Sequence, residues 1–319
     1  MKNNMQYDVA VIGGGILGCF AARNLMRWNV STVLIEAEDD VCKGITRANT
    51  AIVYTGYDNQ TGSLKARLTV QGNRDFEQLC TELDVPFSRC GSLLVAFGPQ
   101  GEQILHKKYE TGMRNSVQGL QWLNGTQVLE LEPMLSEQVV AGLYAPDTGT
   151  VNPWQLGIAA CENAVSNGCT LMLNEKVLRI QKQDAGYLIE TEGKQIYAGA
   201  IINCAGIYAD RIHNLLFPPE VYLTPDGADY LVLDKNIAKP NHIIFQETET
   251  GKGITAVPCV EGNLLIESTA RPLTTPFATT KAGVESIKTA MAQILPQVDC
   301  ANSIRSFGAV RPNLCTIDG

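Results

Sequence analysis

Gly13, Gly15 and Gly18 have the G-x-G-x-x-G spacing of a dinucleotide-binding turn. The first glycine makes the tight turn, the second lets backbone approach a pyrophosphate, and the third lets the next helix close on the strand. Glycine runs also occur in ordinary turns, so the neighbours decide. The β-rich run YDVAVI (7–12) precedes the glycines, and a helical apolar pattern runs from Leu17 through Phe20, Ala21, Asn24 and Leu25. A second buried strand, TVLIE (32–36), then completes a βαβ unit whose crossover is expected to be right-handed with parallel strands. The helix start at Ile16 and Leu17 would turn free N–H groups and its dipole toward the phosphates. Glu36 closes the second strand, followed by Ala37, at a spacing suited to a ribose hydroxyl. A plain surface carboxylate is the other reading of Glu36.

NAD and FAD share this fingerprint. Three features favour FAD: the chain holds one such unit, a polar glycine-containing loop GITRANTAIVYTG (44–56) follows the second strand, and AIINCAG (200–206) ends in small residues late in the chain.

Composition limits the alternatives. With 319 residues, 45% hydrophobic and 18% charged, the chain can bury one large core or two domains and does not read as disordered. A net charge of -8 offers no general field for nucleic acid, so an anionic substrate must be caught by a few local cations. The ten cysteines contain no C-x-x-C pair or other metal spacing and read as buried thiols in a reducing cytoplasm. No metal site is expected. Val9 to Met26 could pass for a signal peptide, but Asp8 precedes it and glycines interrupt it, so it reads as strand, turn and helix. No other apolar run would span a bilayer. A cytoplasmic location is expected, with peripheral membrane or partner-subunit contact left open.

Ser63 is expected to cap a helix with Leu64, Leu68, Phe76, Leu79 and Leu83 on one face, and Asn152 with Pro153 to open another that ends at Gly168. GSLLVAFG (91–98) reads as a strand, with amphipathic stretches near 100–115 and 126–132. Strands follow with turns at 184–186 and 192–194, and AIINCAG reads as central in a sheet. YLVLD, HIIFQ, ITAVP and NLLIES suggest an antiparallel sheet over 220–277, followed by a helix over about 279–295. The expected fold class is α/β, with a Rossmann-type nucleotide domain assembled from segments 1–85, 146–217 and 301–319. A mostly antiparallel substrate domain, 86–145 and 218–300, is inserted into it.

The segments EPMLSEQVVAGLYAPDTGTVNPWQLGIAACENAVSNG, AIINCAGIYADRI, GADYLVLD, GNLLIESTA and RSFGAVRP carry a wider likeness. Through them the chain resembles FAD-dependent oxidoreductases of the D-amino-acid-oxidase type, within them the glycerol-3-phosphate and L-2-hydroxyglutarate dehydrogenase branch. The resemblance implies that Thr46, Arg47, Asn49 and Thr50 pass the pyrophosphate and flavin, that the Val177 backbone meets adenine, and that Ala205 and Gly206 make a third cofactor contact. Asn49 also fits a simple turn residue. Arg311 matches an arginine facing the substrate's anionic group, where a guanidinium fork grips a carboxylate or phosphate. Pairing with an interior carboxylate is its alternative role, and Arg305 is a second candidate.

The chain departs from the pattern twice. Relatives in the hydroxyacid branch often carry histidine where this chain has Tyr54, before Thr55-Gly56. Hydroxyl oxidation needs a base, and an ordinary tyrosine costs roughly 4 kcal/mol to ionise at pH 7. Tyr54 and His242 are the candidates; His106 and His213 sit in helix patterns and read as ordinary. An amine substrate can lose its proton beforehand, so amine or amino-acid oxidation is a rival. Relatives also continue past the RP motif with a strand and helix that complete the nucleotide domain, some adding an iron–sulfur domain, whereas this chain stops at Asp318-Gly319. The C-terminal end of the FAD domain is therefore expected to be missing, and a catalytically silent fragment or subunit is a third reading. The expected partners are a small anionic metabolite and an electron acceptor.

Overall fold

Strand Met5–Ile12 is the hub of the first unit. It pairs in parallel with Thr32–Ile35 on one side and with Gln195–Asn203 on the other. In the computed structural model, which describes residues 5–248, 251–268, 270–272 and 277–316, packing divides the chain into two units. Met1–Asn49, Pro153–Asp226 and Val310–Gly319 form one, and Thr50–Asn152 with Gly227–Ala309 the other. These bounds differ from the segments expected from sequence: residues 50–85 group with the second unit. The end at Asp318-Gly319 lies outside the described residues.

The first unit's sheet runs in the order Val177–Gln183, Gly186–Thr191, Gln195–Asn203, Met5–Ile12, Thr32–Ile35, Thr170–Met172. The four strands Gln195–Asn203, Met5–Ile12, Thr32–Ile35 and Thr170–Met172 pair in parallel, while the tight turns near 184 and 193 make the two pairs at the other edge antiparallel. AIINCAG is central as expected, third of six strands. Its residues 200–203 nonetheless stay partly exposed, because Gly186–Thr191 pairs only as far as Ala198 while Val9–Ile12 carries the pairing onward. Ala10, Ile12, Val33, Ile35, Ile189 and Ile196 form the core, each valine or isoleucine among them contributing roughly 1.5–3 kcal/mol by burial. Helix Ile16–Leu25 packs on Pro153–Ser166, where a Cβ on Gly157 would lie 3.5 Å from Ile16 Cδ1 and 2.2 Å from Sγ of Cys42 in the loop after Thr32–Ile35.

In the second unit the sheet is mostly antiparallel, as expected; Ile243–Gln246 beside Ser92–Val95 is a parallel exception. Helix Lys281–Ile294, capped by Thr280, buries Ile287, Met291 and Ile294 against Leu233, Ile244, Leu264 and Ile266. Helix Leu64–Glu82 begins at Ser63, whose hydroxyl accepts from Ala66 N at 3.1 Å. Its apolar face departs from expectation: Leu64 and Leu68 are 60% and 53% exposed. The buried stripe is Ala66, Asn73 and Cys80, spaced by seven residues. Small and polar side chains line it because Asn73 is spent on backbone carbonyls there.

Candidate functional site

The glycine turn is built as its spacing requires. Gly13 has φ +106°, and a Cβ there would lie 2.4 Å from the Cys204 carbonyl oxygen. A Cβ on Gly18 would sit 1.8 Å from the Gly13 oxygen. Strand end, turn and helix start are thus in mutual backbone contact, with no volume for side chains. Gly15 is the N-cap of helix Ile16–Leu25 and brings no capping side chain, so the positive helix end can face an anion although Thr46 takes the Ile16 N–H. Leu17, in the first turn, is 73% exposed. Behind the turn lie the buried thiols of Cys19, Cys42 and Cys161. Cys19 Sγ donates to the Gly14 carbonyl at 3.3 Å, which also accepts from Cys42 N at 2.9 Å.

Glu36 is half-buried and does more than either reading proposed. Its Oε2 accepts from Gly14 N at 2.5 Å and its Oε1 from Glu38 N at 2.9 Å. The carboxylate therefore clamps the turn to the segment after the second strand; Ala37, between the clamped residues, is exposed. Thr46, in the 3-10 helix Ile45–Arg47, is buried and its Oγ1 accepts from Ile16 N at 3.0 Å. This carries the loop to the helix start. Asn49 Nδ2 donates to the Thr46 carbonyl at 2.8 Å and the Ile45 carbonyl at 3.3 Å. Arg47 is exposed. Ala205 caps the short helix Gly206–Tyr208 immediately after Cys204, so it adjoins the turn. Val177 opens its strand at a bulge. One unit thus brings together Gly13, Gly15, Ile16, Gly18, Glu36 and Thr46, and the arrangement fits a dinucleotide pyrophosphate. Arg311 also belongs to this unit, half-buried on strand Ser303–Thr316.

Tyr54, Thr50, Arg305 and the histidine His242 belong to the second unit. Thr50 is buried and Arg305 exposed. Tyr54 is 41% exposed and its ring stacks on Phe245, centroids 5.9 Å apart. His242 Nδ1 lies 3.0 Å from Oε2 of the fully buried Glu132, and its ring meets the edge of Tyr144. His106 stacks on Trp122 at 3.8 Å, and His213, in the first unit, contacts Asn214 and Phe217.

Sequence reasoning missed two supports around Tyr54. The Asn73 amide donates to the Tyr54 carbonyl at 3.2 Å and the Asp147 carbonyl at 2.9 Å, while Arg89 Nη1 donates to Asn73 Oδ1 and the same Asp147 oxygen. On the strand that carries Phe245, buried Glu247 pairs with Lys108 at 3.2 Å, and Lys108 also reaches Asp58 at 2.6 Å. Burial pushes the Lys108 ammonium toward neutrality, but the two carboxylates outweigh it and raise its pKa. The adjacent Tyr57 is driven well above the usual tyrosine range by burial and by the charges of Asp58 and Glu247, so it stays protonated. Neither pairing has a local signature, because the partners lie far apart in sequence.

Among the described residues no group of three or more His, Cys, Asp or Glu could hold a metal ion, and no helix is long and apolar enough to cross a membrane. The residue pattern of the FAD dependent oxidoreductase (DAO) family matches residues 8–319. The chain is 39% identical over 309 residues to a glycerol 3-phosphate dehydrogenase from Caloramator mitchellensis, covering 96% of this chain and 64% of that protein. It is 27% identical over 249 residues to an L-2-hydroxyglutarate dehydrogenase from Indibacter alkaliphilus, covering 74% and 61%. The chain thus spans under two thirds of the length of these two relatives. The structure of dithionite-reduced L-alpha-glycerophosphate oxidase from Mycoplasma pneumoniae with FAD bound superposes with a TM-score of 0.89 at 25% identity, covering 96% of this chain and 83% of that one. The chain belongs to the FAD-dependent oxidoreductase family, and its cofactor is FAD.

Proposed function

We propose that this member of the FAD-dependent oxidoreductase family dehydrogenates a small anionic hydroxy compound, with glycerol 3-phosphate first and a 2-hydroxy acid such as L-2-hydroxyglutarate second. The carrying observation is the turn at Gly13–Gly18, closed on the Cys204 carbonyl and clamped by Glu36. The relative that shares 39% of its residues bears the name of a glycerol 3-phosphate dehydrogenase, which favours that substrate. Bound FAD would supply the hydride acceptor.

The protein's own tasks are to hold the cofactor, grip the anion and receive the hydroxyl proton. The helix start at Ile16–Leu17, the Gly13–Gly15 backbone and Glu36 are assigned to the cofactor, with Ala37, Thr46, Arg47, Asn49, Thr50, Val177, Ala205 and Gly206 as flanking contacts. Arg311 is assigned to the substrate anion and Tyr54 to the substrate side, with His242 the other candidate base. Electrons then pass to an acceptor, oxygen or an electron carrier.

Oxidation of an amine is the second reading, favoured by one feature: Tyr54 stands where a histidine base is expected for hydroxyl chemistry. An anaerobic panel on the full natural protein separates the two. Glycerol 3-phosphate or L-2-hydroxyglutarate should bleach the flavin absorbance, and glycine should not. Bleaching by the amine alone would reverse the assignment.

A further inference from the structure

Helix Leu64–Glu82 and the end of helix Pro99–Arg114 border an open groove of about 880 Å³ within the second unit. Arg67, Gln71 and Arg74 line it at i, i+4 and i+7 and so share one helix face. Arg114 joins them from the last turn of the second helix. Among the described residues none of the three guanidiniums forms an ion pair. Arg74 donates to the Ser116 carbonyl at 3.3 Å and Arg114 to Thr111 Oγ1 at 3.4 Å. Asp75 is the carboxylate in the lining, so three positive charges face one negative charge in a chain whose net charge is -8.

Surface arginines are ordinarily dispersed or paired, and gathering three around one hollow adds mutual repulsion that an anion would relieve. Arg67 and Arg74 are separated by roughly 10 Å along the helix axis, a span that suits several linked phosphates better than one. The groove's volume is in the range of small-molecule sites. Its concavity disfavours a flat bilayer.

We propose that this groove binds a small soluble molecule carrying two or more phosphates, held by Arg67, Arg74 and Arg114. The site shares no residue with the glycine turn and is independent of the substrate assigned above. Guanidinium forks suit phosphate oxygens, and the exposure of all three arginines makes the interaction salt-sensitive.

The test titrates sodium tripolyphosphate into the full natural protein, saturated with FAD so that its own pyrophosphate site is filled, and follows heat at low ionic strength. Saturable one-to-one binding with an unchanged flavin spectrum is expected. Arg67→Gln and Arg114→Gln should each weaken it roughly three- to tenfold, and Asp75→Asn should strengthen it. The last variant guards against reading a folding defect as lost binding. Absence of saturable binding, binding indifferent to all three substitutions, release of FAD by the probe, or binding only to phosphatidylglycerol vesicles would each overturn the proposal.

Discussion

The carboxylate of Asp229 occupies the space that a side chain on Gly283 would need. A Cβ on Gly283 would lie 1.8 Å from Asp229 Oδ2. The fully buried carboxylate accepts from Arg271 Nε at 2.7 Å and Nη2 at 3.1 Å, and from Thr280 N at 2.7 Å. Thr280 in turn caps helix Lys281–Ile294, so one buried carboxylate ties a strand to the helix that covers the second unit's core. Gly283→Ala should drive the carboxylate from its donors and destabilise the unit by about 3–5 kcal/mol, read as a lowered denaturation midpoint. An unchanged midpoint would mean the helix can shift at no cost.

Acid should act through the same group. Burial pushes the Asp229 carboxyl up, but Arg271 and Thr280 more than offset this and hold it below the usual aspartate value. A carboxylate with a depressed folded pKa contributes stability above its unfolded value, near 4, and loses that contribution as pH falls through the folded value. Asp229→Asn should therefore be less stable than the natural protein at pH 7, and the difference should shrink below about pH 4. Paired denaturation curves at pH 7 and pH 3 measure it; a gap that widens in acid would contradict the assignment.

Local signals made the first unit readable. The spacing of Gly13, Gly15 and Gly18 sits directly between a strand and a helix, so a short window contains strand, turn and helix start together. The contacts that finish the turn were not readable, because Thr46 reaches Ile16 N across the fold and a threonine in a polar loop looks like any other. Asn73 failed differently. A polar residue in a helix normally reads as solvated, and only the tertiary structure shows three backbone carbonyls converging on it.

That convergence makes Asn73 a positioning residue for Tyr54. Asn73→Ala would leave buried carbonyls and the Arg89 guanidinium short of partners, with a loss of roughly 1–3 kcal/mol in stability. If Tyr54 acts on the substrate, kcat should fall while FAD content stays full. Asn73→Asp keeps the shape but loses the donors and should not rescue the rate. A variant with lowered stability and natural kcat would limit Asn73 to structure.

Glu36→Gln separates the cofactor role of this side chain from its clamp on the turn. Glutamine can accept one of the two N–H bonds from Gly14 and Glu38, but its amide nitrogen would face the other donor. The FAD-free protein should therefore melt lower than the natural one. A ribose contact would add a further loss of roughly 1 kcal/mol in FAD binding, about fivefold in Kd, read by flavin fluorescence quenching. Equal FAD affinity alongside a lowered melting point would leave Glu36 as a clamp alone.

Arg311→Lys tests the substrate assignment. Lysine preserves the positive charge and much of the aliphatic stem but loses the planar fork, so a paired grip on phosphate or carboxylate should weaken while a simple charge effect would persist. In the full natural protein the expected loss is about 1–3 kcal/mol in kcat/KM for glycerol 3-phosphate, with the flavin spectrum and melting point nearly unchanged. A neutral analogue, glycerol, supplies the control because it has nothing for the fork to hold. If glycerol and glycerol 3-phosphate lose rate equally, Arg311 does not read the anion. If the variant sheds FAD or unfolds, the guanidinium belongs to the interior of the first unit, and the anion must be sought by other cations.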